Sequence, residues 1–283
     1  MTKFIDVMLI IDTHAHIYSH DEKRYPPIDK PLRPPGGKGT LSDLRADSAS
    51  HGVRGACLIQ TSTFYRFDNR YICDSAKVSS DWAAGVCTLD PDDPHSPGLL
   101  SQFKREFGIK GMRSIPGQSG QIDGEGVRRL WKTATDEGLV INALIRRENA
   151  ENLSRMLADF ASLRVVLDHC MYPEVGPQHD AILNDVLRLA RFKNLHAKLT
   201  FVPTGSKQKY PCADMHDTVL KIVDAFGPER CVWGSDFPCE LWTPGVTYSQ
   251  HLQIFLKDLP FRDSARQQIL GLTAKTLWFP EWA

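Results

Sequence analysis

Residues 7–16 read VMLIIDTHAH, a short apolar run that ends in alternating polar residues. We predict a strand over 7–12, and seven further runs of this kind follow along the chain: RGACLIQ (54–60), AAGVCTL (83–89), IKGMRSI (109–115), LVINALI (139–145), RVVLDH (164–169), LHAKLT (195–200) and CVWGSD (231–236). Most of them hold Val, Ile or Leu with little alternation. This pattern is typical of parallel strands that are buried on both faces.

Stretches with helical character separate these runs, at 40–52, 68–81, 96–108, 124–138, 149–161, 179–192 and 215–227, and two more follow near 247–258 and 263–277. Thr40 and Asp43 have the spacing of a capping box, which predicts where the first helix begins. Strands that alternate with helices eight times predict an α/β protein, a (β/α)8 TIM barrel. An open doubly wound sheet is the alternative. The chain has no GxGxxG after its first strand and no GxxxxGK[ST], which removes the main reasons to prefer that sheet.

Length and charge narrow the classes of protein. The 283 residues are close to the roughly 250 of one α/β barrel, so we expect a single domain over 1–283. Lys plus Arg and Asp plus Glu each number 34, so no net charge favours a nucleic acid or an anionic membrane as a partner. The apolar run 7–11 is too short for a membrane span or a signal peptide, and we expect a cytoplasmic protein. The seven cysteines are scattered without a CxxC pair, which argues against a disulfide framework or a zinc knuckle.

The ends of three predicted strands carry residues suited to catalysis. Chemistry in such barrels lies at the carboxyl ends of the strands. His14 and His16 follow the first strand two residues apart, so they face the same side and form half of a plausible metal site. His169 ends the sixth strand and Asp236 ends the eighth, which neighbours the first in a closed barrel. We therefore expect these four side chains to meet at the mouth; the alternative is four unconnected polar residues.

The order of these motifs resembles the amidohydrolase superfamily. The segments IDTHAHI (11–17), LDHCMYP (167–173) and WGSDFP (233–238) are similar to the amidohydrolase-related branch that holds sugar lactonases, 2-pyrone-4,6-dicarboxylate hydrolase and sulfomuconolactone hydrolase. The resemblance spans nearly the whole chain. It implies a barrel hydrolase, and it does not specify a substrate.

The resemblance has departures that bear on metal binding. Binuclear members carry a Lys or Glu after strand 4 and a His after strand 5, whereas this chain has Arg113 and Asn142 there. A binuclear centre is therefore not expected, and the missing His counts against the related metal-dependent decarboxylases. Two alternatives stay open: one divalent ion, zinc or manganese, held by His14, His16, Asp236 and His169, or a mechanism without metal.

Four residues are candidates for substrate binding by resemblance. Arg113 resembles an Arg that binds a substrate carboxylate, although a surface ion pair is its alternative. Ser62 lies in a Q-x-S segment that resembles a substrate-binding one, and a turn hydroxyl is its alternative. Lys198 on strand 7 contacts a substrate oxygen or satisfies buried acceptors, and Tyr25 lies in the Pro/Gly-rich loop 25–39.

We interpret the constellation as a hydrolytic site. Asp236 is the expected general base for a water, and His169 joins it as a catalytic residue. Without a metal, His14, His16 and His169 are the expected hydrogen-bond donors to the oxyanion. The prediction is a hydrolase that opens a lactone or similar cyclic ester of an anionic small molecule. A decarboxylase and a catalytically silent ligand-binding barrel are the alternatives, and a homo-oligomer is compatible with either.

Overall fold

The computed structural model of the chain describes residues 8–282. Eight parallel strands form one sheet in sequence order, from β1 to β8. Their bounds are β1 Ile11–Ala15, β2 Gly55–Ile59, β3 Ala83–Thr88, β4 Gly111–Ser114, β5 Val140–Ala143, β6 Val165–Leu167, β7 Leu195–Lys198 and β8 Cys231–Val232. Seven of the predicted apolar runs contain one strand each. The predicted bounds 7–12 of the first strand were wrong, because β1 begins at Ile11 and extends to Ala15, which pairs with Leu58 of β2. Val7 of that run lies outside the described residues.

Each of the nine predicted helical stretches contains a helix, and three further short α-helices among residues 8–282 were not predicted. Their bounds are α1 Leu41–Ser50, α2 Ser62–Tyr65, α3 Arg70–Val78, α4 Ser96–Phe107, α5 Glu125–Asp136, α6 Ala150–Asp159, α7 His179–Leu189, α8 Val202–Gly205, α9 His216–Phe226, α10 Cys239–Trp242, α11 Tyr248–Gln253, α12 Asp263–Gln267 and α13 Thr273–Trp278. Thr40 caps α1 in a capping box with Asp43, which confirms the predicted start. Wider π-helical turns extend α11 over Ile254–Asp258 and join α12 to α13 over Gln268–Leu272.

The sheet is a nearly closed (β/α)8 barrel, and the alternative of an open sheet is wrong. β8 spans only two residues, so the chain beyond it completes the seam with β1. The Thr13 amide donates to the Trp233 carbonyl at 3.2 Å, and the His16 amide donates to the Phe237 carbonyl at 2.7 Å. Asp12 accepts from both the amide and the hydroxyl of Ser235, at 2.8 and 2.6 Å.

The inside of the barrel has two layers. The lower layer is an apolar cluster of Ile11, Cys57, Ile59, Ala84, Val86, Val140, Val166 and Val232, and Trp278 and Phe279 of the C-terminal segment pack against it. The C-terminal aromatic residues therefore pack on their own barrel. The upper layer is polar and holds Arg113, Asn142, Asp168 and Lys198, all buried.

No helix among residues 8–282 is long and apolar enough to cross a membrane. The predicted domain range 1–283 includes residues 1–7 and 283, which lie outside the described residues, so the range stays a prediction. The cytoplasmic location also stays a prediction.

Candidate active site

The two histidines of the first strand do face the same side. The pairing of β1 with β2 shifts between Asp12 and Ala15, and this irregularity lies at the residues that carry the motif. His14 Nε2 lies 3.3 Å from His16 Nε2 inside the barrel mouth. His16 Nδ1 lies 3.0 Å from the Ile59 carbonyl. Because a carbonyl only accepts, Nδ1 carries the ring proton and Nε2 of His16 is an acceptor that faces the site.

A left-handed turn after β6 places His169. His169, Cys170, Met171 and Tyr172 all have φ between 46° and 61°, a region that costs non-glycine residues about 1–2 kcal/mol each. Strain of this kind persists where the surrounding structure fixes it and is common at functional sites. The turn puts His169 Nδ1 2.7 Å from Thr200 Oγ1 and stacks the imidazole on the Tyr172 ring at 4.7 Å.

Asp236 reaches the histidines from the end of strand 8. Its φ of 58° is also left-handed, and its Oδ1 lies 3.4 Å from His14 Nε2 and 3.8 Å from His16 Nε2. Gly234 lies directly beneath, where an added Cβ would come within 2.8 Å of His14 Cβ. The rings of His14 and His169 are 4.6 Å apart. The structure thus brings together all four residues that the sequence predicted to meet.

A charged layer supports the histidines from below. Asp168 is fully buried and accepts from Lys198 Nζ at 2.8 Å, Arg113 Nε at 3.0 Å and Asn142 Nδ2 at 3.3 Å. Lys198 Nζ also lies 3.2 Å from His14 Nδ1. Lys198 is fully buried beneath these groups, which agrees with the interpretation that it satisfies buried acceptors.

The two carboxylates of the site differ in their charge state. Burial alone would raise the pKa of Asp168, but Lys198 and Arg113 outweigh it and hold that pKa well below its usual value. Burial raises the pKa of Asp236 to about 7, against an opposing effect of Arg113. Asp168 is therefore a permanent anion, whereas Asp236 exchanges a proton near neutral pH and suits the role of a general base.

The three imidazoles are neutral at neutral pH. Burial lowers the pKa of His14 well below its usual value, and the charges of Lys198 and Arg113 lower it further. Burial, followed by Arg113, lowers the pKa of His16 to about 3. Burial lowers the pKa of His169 as well, despite the opposing effect of neighbouring Asp168.

The predicted substrate-binding residues lie in different places. Arg113 lies in the site and is only 6% exposed. The Ser62 hydroxyl at the start of α2 is buried and has no partner among residues 8–282. The Tyr25 hydroxyl instead donates to Asp74 at 2.7 Å, so the structure does not join it to the polar cluster, and its role stays a prediction. Tyr18, two residues after His16, is buried with its hydroxyl unpartnered within the described chain.

A second arginine lies at the rim of the mouth. The Arg146 guanidinium lies 3.9 Å above the ring of Tyr172, the same ring that stacks on His169. Its nearest carboxylate, Glu174, is 3.9 Å away and exposed, so this pairing is weak. Beside it is a cavity of about 660 Å³, lined by residues that include Arg146, Arg147, Met171, Gln178, Ile182 and Arg188.

His14, His169 and Asp236 form a possible metal site, because they offer ligand atoms that all lie within 4.8 Å of one another. The donor types suit zinc. However, Arg113 Nη2 lies 3.1 Å from His14 Nε2 and 3.4 Å from His169 Nε2. An ion at about 2.1 Å from either nitrogen would lie within about 5.5 Å of the guanidinium charge. As arranged, the residues do not fit a resident ion unless Arg113 moves.

Sequence reasoning assigned no role to Asp168, Thr200 or Tyr172. The signal for Asp168 was present, because it lies two residues beyond Val166 on the inward face of the same strand. Nothing in the sequence around Tyr172 announces a left-handed turn, since the turn contains no glycine.

The chain is similar to known proteins over most of its length. Over 236 residues the chain is 25% identical to L-fucono-1,5-lactonase of Burkholderia ambifaria, covering 81% of this chain and 80% of that protein. It superposes on a putative 2-pyrone-4,6-dicarboxylic acid hydrolase from Pseudomonas putida with a TM-score of 0.81 at 22% identity, covering 98% and 99% of the two chains. A zinc-bound amidohydrolase from Burkholderia multivorans gives a TM-score of 0.77 at 17% identity, covering 95% and 98%.

The two solved structures are less than 25% identical to this chain, so they support only the fold. The family rests on the sequence. The model of the amidohydrolase family (Amidohydro_2) matches residues 11–279, which include every residue of the site. The chain therefore belongs to the amidohydrolase family and is an enzyme of that family.

Proposed function

We propose that the chain hydrolyses a lactone or a similar cyclic ester of an anionic small molecule. The observation that carries this proposal is Asp236, a buried carboxylate with a pKa near 7 at the centre of the mouth, 3.4 Å from His14 Nε2. Such a group is ionised often enough to accept a proton and basic enough to activate water. The relative from Burkholderia ambifaria acts on a sugar lactone, which supports the same reaction class.

The reaction needs one base and a group that stabilises negative charge. Asp236 takes a proton from water, and the water oxygen forms a bond to the carbonyl carbon of the ring. The carbonyl electron pair moves onto its oxygen, and this oxyanion then collapses. The bond from carbon to ring oxygen breaks, and the ring oxygen takes the proton that Asp236 holds. The product is a hydroxy acid, and Asp236 returns to its ionised form.

Positive charge at the mouth supports an anionic substrate. Arg113 lies inside the site, and Arg146 lies above Tyr172 with only a weak carboxylate partner. The two stacking distances place the Arg146 guanidinium no more than about 9 Å from the His169 ring. A guanidinium with unused donors at that distance is suited to a carboxylate on the far side of a small lactone.

The decarboxylase alternative is weaker. In that branch a histidine of strand 5 binds the metal, whereas here Asn142 occupies the strand and donates to Asp168. We therefore propose a small-molecule hydrolase of the cytoplasm that takes no step through a metal ion. Assays that score acid release against carbon dioxide release from lactones and aromatic carboxylates separate the two reactions.

The test is Asp236→Asn. Loss of the base should lower kcat on any lactone that the enzyme turns over by at least about 10³-fold, with the fold intact by circular dichroism. A matched control is Asp180→Asn, which makes the same change at a carboxylate that is 93% exposed on α7, and should leave turnover unchanged. Full activity in Asp236→Asn would overturn the mechanism.

A further inference from the structure

Arg113 has an unusual position for a residue that merely grips a substrate carboxylate. It lies at the end of β4 with only 6% of its surface exposed, in contact with two of the three imidazoles. Asp168 holds its Nε at 3.0 Å, so the guanidinium plane is fixed from one side.

The donors of Arg113 are mostly used. A bidentate grip on a carboxylate needs two N–H groups along one edge of the guanidinium. The edge formed by Nε and Nη2 is occupied, because Nε donates to Asp168 and Nη2 lies 3.1 and 3.4 Å from His14 Nε2 and His169 Nε2. Nη1 has no protein partner within residues 8–282. The free donor is suited to a single oxygen atom rather than to a carboxylate pair.

The imidazoles do not provide this donor. His16 donates its Nδ1 proton to the Ile59 carbonyl, so its Nε2 accepts. His169 Nε2 also accepts, since an arginine has only donors. His14 Nδ1 accepts from Lys198 at 3.2 Å, so the single proton of the neutral His14 ring lies on Nε2. That nitrogen faces two acceptors, His16 Nε2 at 3.3 Å and Asp236 Oδ1 at 3.4 Å. The expectation that the three histidines donate to the oxyanion is not supported by these contacts.

The base and the guanidinium are close enough to act on one bound substrate. Asp236 Oδ1 and Arg113 Nη2 lie 3.4 and 3.1 Å from the same His14 nitrogen, so they are no more than about 6.5 Å apart. A water bonded to Asp236 and a carbonyl oxygen bonded to Arg113 are therefore neighbours, since each hydrogen bond spans about 2.7–3.0 Å.

We propose that Arg113 is the electrophile of the reaction and that its Nη1 hydrogen-bonds the carbonyl oxygen and then the oxyanion. This inference rests on the proposed lactone hydrolysis and gives Arg113 a catalytic role beyond substrate binding. As Asp236 removes the water proton and the new carbon–oxygen bond forms, negative charge develops on the oxygen facing the guanidinium. A fixed cation in a buried site stabilises that charge without reorganising. Asp168 acts as the positioning residue that orients Arg113.

The experiment compares two substrates and several variants. A neutral δ-lactone and the same ring with a carboxylate opposite the carbonyl are assayed with wild type, Arg113→Gln and Arg113→Lys. An electrophile predicts that Arg113→Gln lowers kcat at least about 100-fold on both lactones while KM changes little. Arg113→Lys keeps the positive charge that pairs with Asp168, so its kcat should lie between those of the wild type and Arg113→Gln.

Rescue addresses the case in which Arg113→Gln folds poorly. In Arg113→Ala, added guanidinium should restore part of kcat on the neutral lactone, whereas urea at equal concentration should not. Arg105→Gln is the matched control, because Arg105 lies on α4 with a side chain that is 71% exposed, and it should leave kcat and KM of both lactones unchanged.

The outcomes separate the two proposals. A loss in Arg113→Gln that is confined to KM of the carboxylated lactone would make Arg113 a carboxylate clamp and overturn this inference while leaving lactone hydrolysis intact. A rescue that fails although Arg113→Ala is folded would also overturn it. Absence of turnover by the wild type on every lactone would instead overturn the proposed function.

Discussion

The lower and upper layers of the barrel interior share strands β5 and β6, but one layer is apolar and the other is charged. On β5 the inward residue changes from Val140 to Asn142, and on β6 the inward face passes from Val166 to Asp168 just beyond the strand, in each case within two residues. Both layers are almost completely buried. The lower layer stabilises the barrel by removing apolar surface from water. The upper layer is stable only because each buried charge has partners, and that requirement fixes the positions of its side chains.

Truncating one side chain in each layer should destabilise the protein by similar amounts but should produce the largest difference in kcat. Lys198→Met leaves Asp168 with one cation fewer, and breaking such a buried pair costs about 3–5 kcal/mol of unfolding free energy. Phe279→Ala in the lower layer costs a similar amount, about 3–5 kcal/mol, by leaving a cavity.

Their effects on turnover should differ. At a temperature where both variants are folded, Lys198→Met should lower kcat about 100-fold, because His14 and Asp168 lose their support. Phe279→Ala should keep kcat within about threefold, because that side chain belongs to the apolar cluster. Urea unfolding and steady-state kinetics measure both quantities, and equal kinetic losses would contradict the division into layers.

Gly234→Ala is the next largest test. An added Cβ would lie 2.8 Å from His14 Cβ and 3.0 Å from Thr200 Cγ2, so His14 has to shift. A shift of a few tenths of an ångström in the site should lower kcat by about 10–100-fold. Gly98→Ala on α4 is the matched control, since an added Cβ there meets nothing within 4 Å, and it should leave kinetics unchanged. Wild-type kinetics in Gly234→Ala would show that the position of His14 does not matter.

The pH profile tests the charge state of the upper layer. Because the pKa of Asp236 is raised to about 7, the base is protonated below that pH, so kcat/KM on a neutral lactone should fall about tenfold per pH unit below pH 6 and level off above pH 8. The folded state also holds this proton between about pH 4 and 7 when the unfolded chain does not, so Asp236 by itself makes stability decline as pH rises through that window. His14, His16 and His169 have lowered pKa values and act in the opposite direction, because the unfolded chain protonates them below about pH 6.5. Asp236→Asn should therefore make stability rise more steeply with pH than in the wild type. A flat activity profile from pH 5 to 8 would assign the base to another group.

The smallest effect is expected at the rim. Arg146 is exposed and paired weakly, so Arg146→Gln should raise KM for a carboxylated lactone only about 3–10-fold and leave the neutral lactone unaffected. Arg147 is the matched control, because it lines the same cavity but is already paired with Asp185 at 2.7 Å. An unchanged KM for the carboxylated lactone would remove Arg146 from substrate recognition, and an equal rise for both lactones would show that Arg146 does not recognise the carboxylate.

The sequence predicted the lower layer well and the upper layer in part. Apolar runs report burial directly, so all eight strands and the capped start of α1 at Thr40 were predicted. The prediction that His14 and His16 face the same side is also confirmed, since the alternation of side chains along an extended segment depends only on neighbouring residues. The contacts that were not predicted join residues that are far apart in the sequence. The bond from Arg113 to Asp168 joins residues 55 positions apart, and no local pattern encodes it.

The loops were the hardest to predict. The strained turn at Tyr172 is held by tertiary packing and has no glycine to mark it. Tyr25 was a candidate for substrate binding because of its place in the first loop, but its hydroxyl donates a hydrogen bond to Asp74 on α3. Tyr18, which is two residues after His16, is buried. The last predicted strand also shortens to Cys231–Val232, because the following residues bend to close the barrel against β1.

The most direct test of the account measures kcat on a lactone that the enzyme turns over, at pH 8, before and after metal depletion, in the wild type and in Asp236→Asn. We predict that the depleted wild type keeps its kcat within about twofold, because Asp236 and Arg113 supply the base and the positive charge, and that Asp236→Asn loses at least about 10³-fold. A kcat that disappears on depletion and returns with zinc or manganese, or an active Asp236→Asn, would contradict it.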